Sequence, residues 1–431
     1  MTLAAAITAP NPLMITPFVV MLLSIAFAPF IFKHHWHRFY HLVAVVLGSV
    51  SVFYYLFILK NGGRMLHVAH EYASFIALVG SLFVVAGGIH IRVKGGAKPW
   101  ANCLFLLVGA VIANVIGTTG ASMLMIRPWI RMNQPRVTGF HIVFFIFIVS
   151  NIGGCLTPIG DPPLFLGYLK GVPFWWVFEH CWKAWLFGVL GLTAVFYWID
   201  RGNYRLAQSK ITAQDAAPDA WKVSGLFNLI FLAIILVAIF INQPVGLREL
   251  LMTGAAIGSY FLTPGKVHKA NHFTFEPIKE VAWLFLGIFA TMVPALDYLE
   301  IHAKSLGIQG EMQFYWLTGL LSGLLDNAPT YLAFLATAFG LNGMSLDSST
   351  DMAHFIVAHG DLLGAISLGA VFFGAMTYIG NGPNFMVKAI SSQSGVETPE
   401  FVAYILKYAL PILLPFLFVT GILFFSNWRI F

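Results

Sequence analysis

The chain carries one motif twice, as Thr157-Pro158-Ile159-Gly160-Asp161-Pro162-Pro163 and as Thr377-Tyr378-Ile379-Gly380-Asn381-Gly382-Pro383. Each copy interrupts an otherwise apolar segment. Glycine and proline break helices, and a helix broken at membrane depth leaves backbone groups that lipid cannot satisfy. Such breaks are tolerated only where they are buried in protein or line a cavity. Two breaks at corresponding places predict a chain of two related halves, with a binding site where the helices are broken.

The composition around these motifs is that of a membrane protein. Of 431 residues, 58% are hydrophobic and 10% are charged, and the mean hydropathy is +0.80. Soluble domains carry about 25% charged residues. A membrane-spanning helix needs about 20 apolar residues. Eight regular apolar runs of about this length lie at 12–32, 39–59, 73–92, 174–198, 223–242, 246–262, 281–300 and 408–426.

Four further apolar segments are irregular. Segments 101–126 and 311–340 carry polar residues at their middles, so we expect two re-entrant hairpins. Segments 139–169 and 361–391 contain the Gly/Pro motifs, so we expect two broken helices that still cross the membrane. The predicted fold class is an all-α integral membrane protein with about ten transmembrane helices, two hairpins and two broken helices.

Charge and spacing predict the orientation and the division of the chain. Most of the 24 lysines and arginines fall on one face, which predicts a cytoplasmic face there and both termini outside, in a multi-pass protein of the inner membrane. Each half has an odd number of crossings, which makes the two halves an inverted repeat. The predicted boundaries are 1–198 for the first repeat, 199–222 for a polar cytoplasmic linker and 223–431 for the second repeat.

Asp161 and Asp326 are the strongest candidates for chemistry. A carboxyl group inside a membrane is a functional-site hypothesis by default. Burial favours its neutral form, so such a group can exchange a proton for Na⁺, and oxygen ligands suit a hard cation. The alternative is that polar groups at the breaks merely cap half-helix ends and satisfy freed backbone groups.

Three segments resemble those of a known superfamily: SNIGGCLTPIGDPP at 150–163, LLDNAPTYL at 324–332 and TYIGNGPNFM at 377–386. They are similar to the ion-transporter superfamily, closest to NhaD-type sodium/proton antiporters and citrate-transporter-like proteins. The resemblance implies a homodimer, a layer that moves against a scaffold, and hairpin tips that pack on the broken helix of their own half. It implies one site with Asn114, Thr118, Thr119, Asn151, Thr157 and Asp161, and another with Asp326, Asn327, Thr330, Thr377, Asn381 and Asn384.

The expected function is Na⁺ (or Li⁺)/H⁺ antiport by alternating access, with Asp161 and Asp326 as Na⁺ ligands and no cofactor. Coupled transport of citrate or a dicarboxylate is the alternative. Pro162-Pro163 departs from the small hydroxyl residues of NhaD-like sequences, which weakens the assignment of the ion. An anion carrier is expected to use Arg or Lys at the midplane, which neither half supplies, although half-helix N-termini can also hold an anion.

Other classes of function fit the sequence poorly. The chain has no HExxH, GxSxG or P-loop motif, so we do not expect an enzyme. It has no basic surface interleaved with aromatic residues, so we do not expect nucleic-acid binding. The expected partners are a small cation or a carboxylate substrate and the lipid bilayer.

Overall fold

The computed structural model describes residues 9–32, 35–93, 95, 97–134, 136–208, 222–241 and 243–426. These residues are almost entirely helical, and one antiparallel pair of short strands, β1 and β2, joins His90–Arg92 to Lys222–Ser224. The α-helices are α1 Thr16–Ile31, α2 Trp36–Phe53, α3 Gly62–Gly87, α4 Pro99–Met132, α5 Gly139–Ile148, α6 Pro162–Leu169, α7 Trp176–Gln208, α8 Asn228–Ala238, α9 Leu247–Leu262, α10 Gly265–Ala270, α11 Glu276–His302, α12 Glu311–Leu324, α13 Asn327–Leu341, α14 Ser349–Ala358, α15 Gly360–Phe373, α16 Gly382–Gln393, α17 Phe401–Tyr404 and α18 Leu414–Phe425.

Several of these helices are long and apolar enough to cross a membrane. Within the described ranges there are seven, or eight if the bent pair Ser349–Ala358 and Gly360–Met376, which meet at 94°, counts as one span. The predicted all-α membrane fold is therefore confirmed. The count of ten crossings stays a prediction, because α8 has 11 residues and α9 has 16, fewer than a full span needs.

Helix α4 is a hairpin that reverses direction at Gly117. The Asn102 side chain donates to that of Asn133, 31 positions later, at 2.6 Å, whereas 31 residues of straight helix would extend about 46 Å. Nearer the tip, the rings of Phe105 and Trp129 stack with their centroids 5.6 Å apart. Gly117 has a φ of +76°, which a residue with a Cβ adopts only under strain, so glycine permits this reversal.

A second hairpin is formed by α12 and α13. Its arms pack together through the rings of Phe314 and Phe334, whose centroids are 6.2 Å apart. Leu325 and Asp326 are extended between the two helices, and Asp326 is the N-cap of α13. The turn that glycine makes in the first hairpin is thus made here by two extended residues.

Each hairpin tip is held on the broken helix nearest to it in sequence. The first break separates α5 from α6, and the second separates α15 from α16. At the first break the Thr118 amide donates to the Gly160 carbonyl at 2.7 Å. At the second break the Asn327 amide donates to the Gly380 carbonyl at 3.2 Å. Since these two bonds correspond, Thr118 is the counterpart of Asn327.

The helices form two layers. The scaffold layer contains α1, α2, α3, α8, α9 and α11, and the motif layer contains both hairpins, both broken helices, α7 and α18. The layers meet where α3 packs on α4 and α6, and where α11 packs on α13. The two breaks therefore lie inside the motif layer and close to its contact with the scaffold layer.

The predicted linker needs correction at its start. Residues 199–208 continue α7, and Asp200 is fully buried, where it accepts hydrogen bonds from Arg136 and Asn102. Helix α7 continues past the polar Asp200-Arg201-Gly202 sequence, because Arg136 compensates the buried charge of Asp200. Residues 209–221 of the predicted linker lie outside the described residues, and Lys222 begins β2.

Candidate functional site

Asp161 lies at the centre of the polar residues that the breaks bring together. It is the N-cap residue of α6 and is 1% exposed. Its Oδ1 accepts from the Thr118 hydroxyl at 2.7 Å and from the Asn381 amide at 2.8 Å. Its Oδ2 accepts from the Asn327 amide at 2.6 Å. A buried carboxyl group is thus held by three neutral donors, two of which come from the second half of the chain.

The two copies of the motif meet at this point. Asp161 in the first copy and Asn381 in the second occupy the same place in the motif, and the hydrogen bond between them joins the copies directly. Thr118 and Asn327, the counterparts at the two hairpin tips, both donate to Asp161. The arrangement is that expected where a pseudo-twofold axis passes between Asp161 and Asn381.

A row of amides extends from this centre. The Asn381 amide also donates to Oδ1 of Asn151 at 3.2 Å, and the Asn151 amide donates to Oδ1 of Asn384 at 2.7 Å. Asn384 donates in turn to the carbonyls of Gly374 and Thr377 at 2.8 and 2.9 Å. These side chains connect the unwound backbone of one break to that of the other.

The structure therefore brings together one shared site, whereas the resemblance implied two separate sites. Asp161, Thr118, Asn151, Asn327, Asn381 and Asn384 belong to the shared site. The resemblance assigned each residue to its own half, and contacts between the halves cannot be read from a repeat alone. The assignment of these residues to a transported ion stays a prediction.

Asp326 is placed differently from Asp161. Its Oδ1 accepts from the Ala328 amide at 3.0 Å, so it caps α13 in the usual manner of an N-cap Asp. The Thr330 hydroxyl donates to the backbone carbonyl of Asp326 at 2.8 Å. The contacts of both side chains thus stay within the first turn of α13, which favours a capping role for Asp326. The assignment of Asp326 as a second Na⁺ ligand from the sequence is not tested by these contacts.

Three other candidates satisfy the backbone at the breaks. The Asn114 amide donates to the Gly153 carbonyl at 2.6 Å, and its Oδ1 accepts from the Leu156 amide at 2.7 Å. The Thr157 hydroxyl donates to the Asn114 carbonyl at 2.6 Å, and the Thr377 hydroxyl makes the matching bond to the Gly323 carbonyl at 2.7 Å. These residues hold each tip on its break, which is the structural alternative raised from the sequence.

A small cavity opens beside Asp161. It has a volume of about 30 Å³ and lies between α3, the first hairpin tip and the start of α6. Among the described residues that line it, Asp161 alone is charged, and Thr118 and Thr119 supply hydroxyl groups. About 10–15 Å³ of such space is enough to hold one water molecule. The cavity therefore has room for a water molecule or a bare cation.

Asn327 supplies a further oxygen at the site. Its Nδ2 donates to Asp161, while its Oδ1 is buried and has no hydrogen-bond partner among the described residues. A buried acceptor without a partner is costly, and a bound water or ion is one of the ways in which native proteins satisfy such a group. This oxygen and the Asp161 carboxylate belong to two side chains in direct contact.

Sequence reasoning missed a group of buried ion pairs at one end of the contact between the layers. Lys170 pairs with Glu71 and Asp347, and Arg64 pairs with Asp297 and Asp347. The signal in the sequence was the charge of Arg64 and Glu71 in the short segment between the apolar runs 39–59 and 73–92. It was not used because charges near the end of a span are usually solvated.

A family profile described as "Putative citrate transport" matches residues 8–425 of the chain. The chain belongs to this family. An "uncharacterized transporter" from Synechocystis is 20% identical over 431 aligned positions, which cover 90% of this chain and 93% of that protein. A "46 kDa membrane protein" from Mycobacterium leprae is 24% identical over 325 positions, which cover 70% and 72% of the two chains. The family and the spanning helices together make the chain a multi-pass membrane transport protein.

Proposed function

We propose that the protein is a secondary active transporter in which Asp161 binds a proton or a small monovalent cation in turn, and that it works as a Na⁺ (or Li⁺)/H⁺ antiporter. The observation that carries this proposal is the position of Asp161. It is the charged residue of the cavity, and it is held by Thr118, Asn327 and Asn381 from both halves of the chain. A transporter needs no catalytic machinery for this exchange, so we expect no enzymatic activity.

The donors around Asp161 suit the exchange of a proton for a cation. Thr118 presents a hydroxyl group, which can either donate to the carboxylate or turn an oxygen lone pair toward a cation. Asn327 already presents an unpartnered oxygen. A carboxylate, an amide oxygen and a hydroxyl oxygen are the ligand types that hard cations prefer. When the proton binds instead, the same carboxyl group becomes neutral and needs no cation.

The charge that lines the cavity favours a cation over an anion at this place. Asp161 is negative when ionised, so an anionic substrate in this cavity would be repelled. An organic anion would therefore bind elsewhere at the breaks, with Asp161 holding the coupling cation.

Coupled citrate transport is the second candidate, and the family match favours it. The helix α16 begins at Gly382 with no side-chain cap on its N-terminus, and such half-helix ends can hold a carboxylate. Under this alternative the proton or Na⁺ still binds at Asp161, but the transported substrate is citrate. The two candidates differ in whether a cation gradient alone drives a response.

The test is a pH-gradient dequenching assay in proteoliposomes, with Na⁺, Li⁺, K⁺ and citrate added separately. We expect Na⁺ or Li⁺ alone to dissipate the proton gradient. A response that requires citrate would assign the protein to carboxylate transport and make Asp161 a coupling-ion ligand. No response to any cation or to citrate, from protein that elutes as a folded species, would contradict both candidates.

A further inference from the structure

A cluster of charged residues, largely buried except for Asp347, lies at one end of the contact between the scaffold layer and the motif layer. We call it the ion-pair cluster; it contains Arg64, Glu71, Lys170, Asp297 and Asp347. The side chains of Lys170, Glu71 and Asp297 are exposed by only 3%, 6% and 6%. Removing charges from water costs several kcal/mol per ion, so such a cluster persists only if its members compensate one another.

The ion pairs of this cluster cross between the layers. Lys170, at the end of α6 in the motif layer, has its Nζ 2.8 Å from Oε1 of Glu71 on α3 of the scaffold layer. Arg64, at the start of α3, pairs with Asp347, which follows α13 in the motif layer. Each layer thus contains one cationic side chain that pairs with an anionic side chain of the other layer.

Each cation also has an anionic partner in its own layer. Lys170 Nζ is 2.8 Å from Asp347 Oδ1, and Arg64 Nη2 is 2.7 Å from Asp297 Oδ1. The Tyr55 hydroxyl donates to Asp297 Oδ2 at 2.6 Å. If the layers separated at this end, Lys170 and Arg64 would each keep one partner. The cluster can therefore open without leaving a buried cation unpaired, which is the property of a reversible contact.

Lys170 is also connected to the candidate site through one short helix. Asp161 is the N-cap of α6 and Lys170 is its C-cap residue. The eight residues between them are a single rigid helix, so the two residues are about 14 Å apart along its axis. A displacement of the Lys170 end of α6 therefore moves the Asp161 end, and the ion pairs at Lys170 fix where Asp161 lies.

The opposite end of the same contact is held by apolar groups. There Phe83 of α3 packs in a small cluster with Met123 of the first hairpin and Met386 of α16. Phe83 lies about 18 Å along α3 from Glu71. Thioether side chains adapt readily to changed packing. The two members of an ion pair, in contrast, lose their contact when the distance between the layers increases. The two ends of the contact thus resist separation by different means.

We propose that the ion-pair cluster is a latch that closes one side of the molecule, and that Lys170 is the positioning residue that holds α6 and Asp161 in the closed arrangement. Release of Lys170 from Glu71 and of Arg64 from Asp347 lets the motif layer move and gives Asp161 access to that side. The role of the latch in transport rests on the proposed function, but the latch itself does not depend on which substrate is carried.

The first test measures hydrogen exchange of the protein in lipid nanodiscs without any substrate. We expect Glu71→Gln and Lys170→Met to increase amide exchange in α6 and in the first turns of α3 by about tenfold or more, because local opening is no longer opposed by the ion pairs. Lys170→Arg keeps the charge and should stay close to wild type. Lys388→Met removes a lysine 4.0 Å from Glu400 within the motif layer and should leave α6 unchanged.

Equal exchange in α6 of the wild type, Glu71→Gln and Lys170→Met would overturn the latch. So would equal effects of Lys170→Met and Lys170→Arg, because a purely steric role does not distinguish the charged from the neutral side chain.

A second test uses cross-linking, which reads out transport instead of amide exchange. Glu71→Cys and Lys170→Cys are combined in a protein whose Cys103, Cys155 and Cys181 are replaced by alanine, and a short reducible bifunctional thiol reagent joins the layers. We expect the cross-link to stop transport of whichever substrate the protein carries, and reduction to restore it. Undiminished transport in the cross-linked protein would overturn the proposal. A protein that transports neither cation nor citrate fails the proposed function, while the exchange measurement still decides the latch.

Discussion

The two breaks share their backbone and differ in their chemistry. In both, the hairpin tip donates to the break, Thr118 to Gly160 and Asn327 to Gly380, and a motif threonine closes the contact from the other side. The first copy of the motif ends in an aspartate, and the second ends in an asparagine. The comparison shows that both breaks make the same hydrogen bonds to the backbone, whereas only the first copy of the motif carries a carboxylate.

A physical reason for this difference is the contact between the two copies. Asn381 Nδ2 lies 2.8 Å from Asp161 Oδ1, so an aspartate at position 381 would set two carboxylates against each other. Two carboxylates at such a distance cannot both be ionised. Because the copies meet at the centre of the molecule, a symmetric pair of ionised carboxylates is excluded there, and an amide in the second copy gives the carboxylate a donor instead.

The largest expected effect comes from removing the charge that distinguishes the first break. Asp161→Asn is isosteric and should reduce transport by on the order of 100-fold or more, as expected for a direct ligand when even supporting residues cost 10- to 100-fold. Initial rates in proteoliposomes, with size-exclusion profiles as the folding control, measure it. Transport near the wild-type rate would show that the charge of Asp161 is not used.

The exchanged pair Asp161→Asn with Asn381→Asp sharpens this prediction. The two substitutions move the carboxylate to the other side of the pseudo-twofold axis and keep one carboxylate and one amide in contact. We expect it to recover part of the activity, because the donors lie on both sides of the axis. If the double variant is as inactive as Asp161→Asn, the carboxylate must lie in the first half of the chain, at position 161.

A smaller effect, on stability, is expected at the glycines that precede the two polar residues. A Cβ on Gly160 would fall on the Gly154 carbonyl oxygen, and one on Gly380 would lie 2.6 Å from the Gly374 carbonyl oxygen, which is less severe. Both substitutions by alanine should destabilise, by roughly 1–3 kcal/mol as for other overpacked sites, with Gly160→Ala the worse of the two. Thermal unfolding in detergent measures the order. Gly202→Ala, where a Cβ meets open space, is the matched control.

The smallest expected effect is at Asp326, the other carboxylate of the pair predicted from sequence. Because its side chain accepts from the Ala328 amide, Asp326→Asn should keep the cap and most of the transport rate. Asp326→Ala should lower stability by about 1 kcal/mol, the usual cost of losing an N-cap. Transport rates and unfolding temperatures of the two variants separate these effects. Loss of transport in Asp326→Asn with unchanged stability would instead make Asp326 a second cation ligand.

The sequence by itself determined the class of the protein and the position of its breaks. Apolar composition fixes the membrane environment, and Gly/Pro motifs fix where helices end, because both depend on local backbone chemistry. Asp161 could be chosen from sequence for the same reason, since a charge inside an apolar run is costly wherever the rest of the chain lies.

Only the tertiary structure decided which residues share a site and which end of the contact between the layers carries the ion pairs. The resemblance assigned the candidate residues to two separate sites, whereas the hydrogen bonds make Thr118 the counterpart of Asn327 and join both to Asp161. Lys170 and Glu71 lie far apart in the chain, and their contact depends on how two layers pack. Packing across such distances is set by the whole set of helix contacts, which no local pattern encodes.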